Sequence, residues 1–181
     1  KWAIVSEYIS GTPLDVLMEK NPEKFDEYFD LFVSLQNSVH SMLAPELDDL
    51  KYVLGRLIMK SDMSATKRYD FYMRLSSLPV HHKICHGDFN PGNVIISDDG
   101  TPYIIDWSYV TRGNASADAA KTYLLFKLEG KADWAEKYLE LFSAKSGIEK
   151  PYIEIWIPIV AAALSVKAEP EEKKQLMEFI K

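Results

Sequence analysis

One interruption constrains this chain more than anything else in it. Helical periodicity runs from residue 12 to the end except between residues 83 and 107. There the pattern changes to short apolar runs set among Gly, Pro and Asp. Ile84 and Cys85 precede a polar loop containing Pro91 and Gly92, and Val94, Ile95 and Ile96 follow it. Asp98, Asp99 and Gly100 then separate that run from Tyr103, Ile104 and Ile105. Two short apolar runs around an Asp-Gly turn predict a β-hairpin. Such an insert between helices demands a mostly α member of the α+β class.

Before the insert, residues 2–9 are aromatic and β-branched and read as a strand that stops at Ser10-Gly11. Thr12 offers a side-chain cap, Pro13 suits the first helical position and Asp15 completes a capping pattern, which predicts a short helix. Phe25, Phe29, Phe32, Gln36 and Val39, widened by Leu31 and Leu35, form the stripe of a long helix ending near His40. Two further helices are expected across residues 50–78, with Tyr52, Leu54, Leu57, Ile58, Tyr69, Tyr72 and Leu75 turned inward. After Gly113 the spacing predicts helices over 116–128, 132–146, 151–166 and 170–180, with Gly130 and Gly147 as stops. The expected organisation is a single domain, 1–181: a strand segment 1–11, a helical segment 12–80, a loop and hairpin 83–107 and a helical segment 114–181.

Composition narrows the partners. An apolar share of 47% supports one packed core, and a net charge of −6 argues against a nucleic-acid surface, which needs clustered cations. The longest apolar run, 155–166, is short of the roughly 18–20 residues a membrane-spanning helix requires. No membrane partner is expected. The single Cys85 cannot form an internal disulfide, which fits a reducing, cytoplasmic setting.

The insert also holds polar residues where a core would not ask for them. Asp88 and Asn93 flank the loop and Asp106 closes the second strand. Phosphoryl transfer needs a carboxylate for the attacking hydroxyl and oxygen ligands for a Mg²⁺ that bridges phosphates. The spacing in His86-Gly87-Asp88-Phe89-Asn90-Pro91-Gly92-Asn93 matches the Asp-to-Asn interval of a kinase catalytic loop. Turn chemistry alone would also favour Asp and Asn here, but it does not account for that interval. His81, His82 and His86 lack an acidic or thiolate partner for zinc and read as a solvated turn, and Trp107 reads as packing under the hairpin.

The His86-Gly87-Asp88 loop followed by Ile105-Asp106-Trp107 resembles the aminoglycoside phosphotransferase and choline kinase superfamily. That resemblance implies a protein-kinase-like C-terminal lobe, with Asp88 as catalytic base and Asn93 and Asp106 as Mg²⁺ ligands. It implies that His86 and Asp118 support the loop structurally, Asp118 by accepting backbone hydrogen bonds from it. Ser6-Glu7-Tyr8 is similar to the family's hinge, where backbone groups of Ser6 and Tyr8 would meet the adenine of ATP. The late helices of such proteins build the acceptor pocket, which points to Glu154 and Trp156. Gly87 in place of the Arg of protein kinases, and the lack of an Ala-Pro-Glu segment, argue against control by loop phosphorylation and against a peptide acceptor.

A glycine-rich phosphate loop, a phosphate-contacting Lys and its partner Glu cannot be placed in the sequence, which does not open on Met. The expectation is therefore a C-terminal lobe that starts at the hinge. Its missing N-terminal lobe, from the same protein, would be a partner, and alone it would bind nucleotide poorly. Three functions stay open. The first is ATP-dependent transfer of phosphate to a hydroxyl of a small molecule; the second is a non-catalytic lobe that binds a partner. A metal-dependent hydrolase on Asp88 and Asp106 comes third, weakened by the absence of a water-activating His cluster.

Overall fold

The computed structural model describes residues 7–180. Strand β1 (Gly11–Pro13) leads into α1 (Leu14–Lys20), a 3₁₀ turn at Pro22–Lys24, and α2 (Phe25–His40). Helices α3 (Leu50–Lys60) and α4 (Ala65–Ser77) follow, then β2 (Lys83–Cys85), a 3₁₀ turn at Pro91–Asn93, β3 (Val94–Ser97), β4 (Pro102–Ile104) and β5 (Thr111–Gly113). The chain closes with α5 (Ala115–Leu128), α6 (Ala132–Ser146), α7 (Lys150–Leu164) and α8 (Pro170–Met177).

The hairpin forms as the Asp-Gly turn requires, with Val94 opposite Ile104 and Ile96 opposite Pro102. Gly100 takes a φ of 86° in its turn, a conformation open to glycine at no steric cost. β1 adds to the other edge of β3, giving the order β1-β3-β4, and β2 pairs separately with β5. The β2–β5 ladder brings the two ends of the insert together. The loop that leaves β2 therefore runs beside the turn that enters β5.

Strand β1 corrects the reading of its neighbourhood. Thr12 pairs with Ile96 as a strand residue and caps no helix; α1 begins behind Pro13 with no side-chain cap. The free edge of β3 claims the backbone groups that a capping box would have used. Residues 7–10 are irregular, and the rest of the expected strand lies outside the described residues. Elsewhere the caps are those the sequence offers: Asp49 accepts from the N–H of Tyr52, Ser64 from Lys67, and Glu169 and Glu172 form a reciprocal box at α8.

The core centres on α5, which is buried around nearly its whole circumference and so shows no one-sided stripe. Ala115, Ala117, Ala119 and Ala120 leave room for close approach of its neighbours α6 and α7. Beside them Phe29, Phe32, Phe126, Trp134 and Tyr138 interlock with ring centroids 5.9–6.2 Å apart. Leu54, Ile58 and Leu75 are inside as expected, but Tyr52, Tyr69 and Tyr72 are exposed. The α3–α4 pair packs on the body through one face, and the tyrosine hydroxyls keep their hydration on the other. Among the described residues no helix is long and apolar enough to cross a membrane.

Candidate active site

The loop after β2 is built around one buried carboxylate. Asp118, in the first turn of α5, accepts hydrogen bonds from the backbone N–H groups of His86 (3.2 Å) and Gly87 (2.8 Å). His40 Nε2 lies 2.9 Å from its Oδ2, and the Gln36 amide donates to the same oxygen at 3.3 Å. Burial raises the pKa of Asp118, but the hydrogen bond and charge of His40, with the N–H of Gly87 and the Gln36 amide, outweigh it and the net shift is downward. The carboxylate stays ionised in a dry place. Gln36 donates also to Thr122 Oγ1 and accepts from Tyr138, and Thr122 donates to the carbonyl of Phe89 at 2.9 Å. Three helices, α2, α5 and α6, thus fix both ends of a four-residue stretch, 86–89.

His86 is fully buried and works as a strut. Its Nδ1 accepts from the N–H of Asp88 (3.2 Å), which leaves the proton on Nε2, donated to the carbonyl of Ile105 at 3.0 Å. The ring meets Phe89 edge-on at 5.6 Å and packs on Trp107 at 4.7 Å. Gly87 has a φ of 80°, and a Cβ there would fall 2.3 Å from the carbonyl oxygen of Tyr109. No other residue type fits this approach.

Asp88 then points its carboxylate past the loop. Asn93 Nδ2 donates to both the Asp88 carbonyl (2.8 Å) and its Oδ2 (3.1 Å), while Asn90 caps the intervening 3₁₀ turn by accepting from the N–H of Asn93. The Asn93 carbonyl accepts from the N–H of Ile105 at 3.0 Å, which extends the hairpin ladder by one pair. Asp106 therefore sits one residue beyond the position opposite Asn93. Asp106 is the only residue other than glycine with positive φ among those described, at 59°. Hydrogen bonds from the Ser108 hydroxyl and N–H hold its carboxyl below the usual range. The anionic Asp106 carboxylate and the Asn93 Oδ1, the atom its amide does not commit to Asp88, are both oxygen donors. Mg²⁺ suits such a set, since it takes one or two protein oxygens and completes its shell with water and phosphate. Among the described residues no cluster of three or more His, Cys, Asp and Glu could hold a metal by itself. His82 instead faces Arg112, its Nδ1 2.7 Å from the guanidinium.

A cavity of about 740 Å³ opens beside Asp88 between α3, α5 and α7. The acceptor residues expected from the late helices are elsewhere: Trp156 is fully buried in the core, Glu154 is exposed, and neither lines this cavity. Both lie on α7, but the α7 residues that line the cavity are Val160, Ala163 and Leu164, about one to three turns further on. Tyr8 is 87% exposed, and Ser6 lies outside the described residues.

Sequence reasoning missed Lys121. Its ammonium donates to the carbonyl of Gly87 and lies 4.9 Å from the ring centre of Tyr109. Burial lowers its pKa against the opposing pull of Asp88 and Asp118. A lysine inside the alanine-rich stretch 115–120 and its continuation was the available signal. Gln36 and His40, polar residues on or next to an apolar stripe, were signals of the same kind.

A model of the phosphotransferase enzyme family matches residues 3–152. No curated protein matches the sequence. Among solved structures, choline kinase LicA from Streptococcus pneumoniae aligns with a TM-score of 0.66 at 19% identity, over 96% of this chain and 69% of that one. LicA in complex with AMP gives 0.64 at 18%, over 97% and 67%. A thermostable mutant of aminoglycoside phosphotransferase APH(4)-Ia gives 0.60 at 14%, again over 97% and 67%. At these identities the likeness is one of fold.

Proposed function

The chain belongs to the phosphotransferase enzyme family, and from that premise we propose that it transfers the γ-phosphate of ATP to a hydroxyl group of a small molecule. The observation that carries the proposal is Asp88: a carboxylate aligned by Asn93, on a loop fixed by Asp118, at the mouth of a cavity large enough for an organic acceptor.

In this reading Asp88 accepts the proton of the acceptor hydroxyl as its oxygen bonds to the γ-phosphorus and the bond to the ADP oxygen breaks. Asn93 and Asp106 would hold Mg²⁺, which would neutralise charge on the phosphates. His86 and Asp118 position the loop and touch neither substrate. The adenine edge is assigned to backbone groups of Ser6 and Tyr8. Nucleotide use is supported by the AMP complex of LicA, and a cytoplasmic setting would supply ATP and keep the buried Cys85 reduced.

The test is transfer from labelled ATP to a panel of hydroxylated acceptors, with Asp88→Asn as comparison. Loss of a general base lowers transfer by about 10²–10⁴-fold. Undiminished transfer by Asp88→Asn would remove Asp88 from the role.

A further inference from the structure

The charge around the cavity says which acceptor belongs there. Its walls are largely apolar, with Leu57, Leu125, Val160 and Leu164 among them. Its charged lining is mainly cationic, in a protein whose net charge is −6. Lys121 from α5 and Lys167, just beyond α7, both lie over the ring of Tyr109, at 4.9 and 5.8 Å from its centre. Lys167 is exposed and makes no salt bridge among the described residues.

A cationic acceptor needs carboxylates or an open aromatic face. This cavity sets four cationic side chains, Arg56, Lys60, Lys121 and Lys167, against two acidic ones. Of those two, Asp88 is reserved for the acceptor hydroxyl, and Glu172 accepts the N–H of Glu169 at the start of α8. Tyr109 is its only aromatic residue among those described, and the two ammonium groups already lie over that ring. An anion, by contrast, would find two lysines pre-placed within reach of one ring, with apolar surface beside them. The lysines would also offset its repulsion from the triphosphate.

Resting on the assignment of Asp88 to the acceptor hydroxyl, we propose that the acceptor is an anionic molecule with an apolar body: a hydroxy acid or hydroxyalkyl phosphate whose acid group pairs with Lys121 and Lys167. Polyamine antibiotics and quaternary ammonium alcohols are the wrong charge for this site.

Calorimetry on the protein with β-hydroxydecanoate, hydroxydecyl phosphate, the amino alcohol bearing an ammonium in place of the carboxylate, choline and kanamycin tests this. At least one acid is expected to bind about tenfold or more tighter than the amines. Lys167→Glu, an exposed change that leaves the core untouched, should erase that preference, and Lys167→Arg should keep it. Tighter binding of any amine, or no binding of either acid, overturns the proposal. Labelled ATP with the same compounds separates the two readings: acid preference without transfer counts against the chemistry alone. Transfer to the amines with the acids ignored counts against the acceptor assignment alone.

Discussion

The loop 86–89 and the turn 106–109 touch where Gly87 lies against the Tyr109 carbonyl and where His86 packs on Trp107, yet different physics holds them. The loop hangs from a dry, ionised carboxylate at the start of α5, through backbone donors that have no alternative partner. The turn is exposed, and its key residue adopts a left-handed conformation secured by a neighbouring serine and by Trp107, whose Nε1 donates to the Ile104 carbonyl. The difference separates two tasks. A base must be aimed before the acceptor arrives, whereas a metal ligand can complete its geometry around the ion and its phosphates. The buried side of the site should therefore fail through stability, and the exposed side through activity alone.

Breaking the buried side gives the largest effect. Asp118→Ala leaves the N–H groups of His86 and Gly87 unpaired and His40 without its acceptor, and is expected to destabilise by about 3–5 kcal/mol. Urea unfolding measures it. A loss under 1 kcal/mol would show that the loop does not hang from this carboxylate. Gly87→Ala strikes the backbone contact between the two regions. The left-handed backbone alone costs about 1–3 kcal/mol, and the Cβ must also displace the Tyr109 carbonyl. The same unfolding curve reads it, and an unchanged midpoint would mean the turn yields freely.

Acid is a gentler probe of the same pair. The folded-state pKa of Asp118 is depressed below its usual 3.8, so its contribution is fully present above that value and lost as pH falls through the folded one. The stability gap between the wild type and Asp118→Asn should accordingly narrow as pH falls below 3.8 and through the depressed folded value. A gap that widens on acidification would contradict the depressed pKa. The smallest stability effect belongs to the exposed side. Asn tolerates left-handed backbone, so Asp106→Asn should leave stability within about 0.5 kcal/mol. Transfer should fall about 100-fold or more with the loss of its charge. A large destabilisation would place Asp106 in the scaffold instead of the metal site.

Much of this architecture was open to inspection before folding. The hairpin follows from apolar runs around Asp99-Gly100, and α2 and α6 from their apolar spacing. The spacing of Asp88, Asn93 and Asp106 was open to view because these are local intervals within one insert. The lining of the cavity beside Asp88 was not legible in the same way. Glu154 and Trp156 lie on the right helix but face solvent and core, because only packing against α3 and α5 decides which part of α7 fronts the cavity. Tyr52, Tyr69 and Tyr72 were misplaced for a related reason: an aromatic at helical spacing reads as core until the neighbouring face is known.

The sequence by itself determined the helices, the hairpin and the spacing of Asp88, Asn93 and Asp106, since these rest on propensities and intervals within a few residues. The resemblance had implied that Asp118 takes hydrogen bonds from the loop; tertiary structure alone decided that His40, Gln36 and Thr122 join it there, and that Lys121 reaches Gly87. Those contacts join residues about 30 to 80 positions apart in the chain, where no local pattern constrains distance. What aims Asp88 and gives its cavity a charge was written by packing.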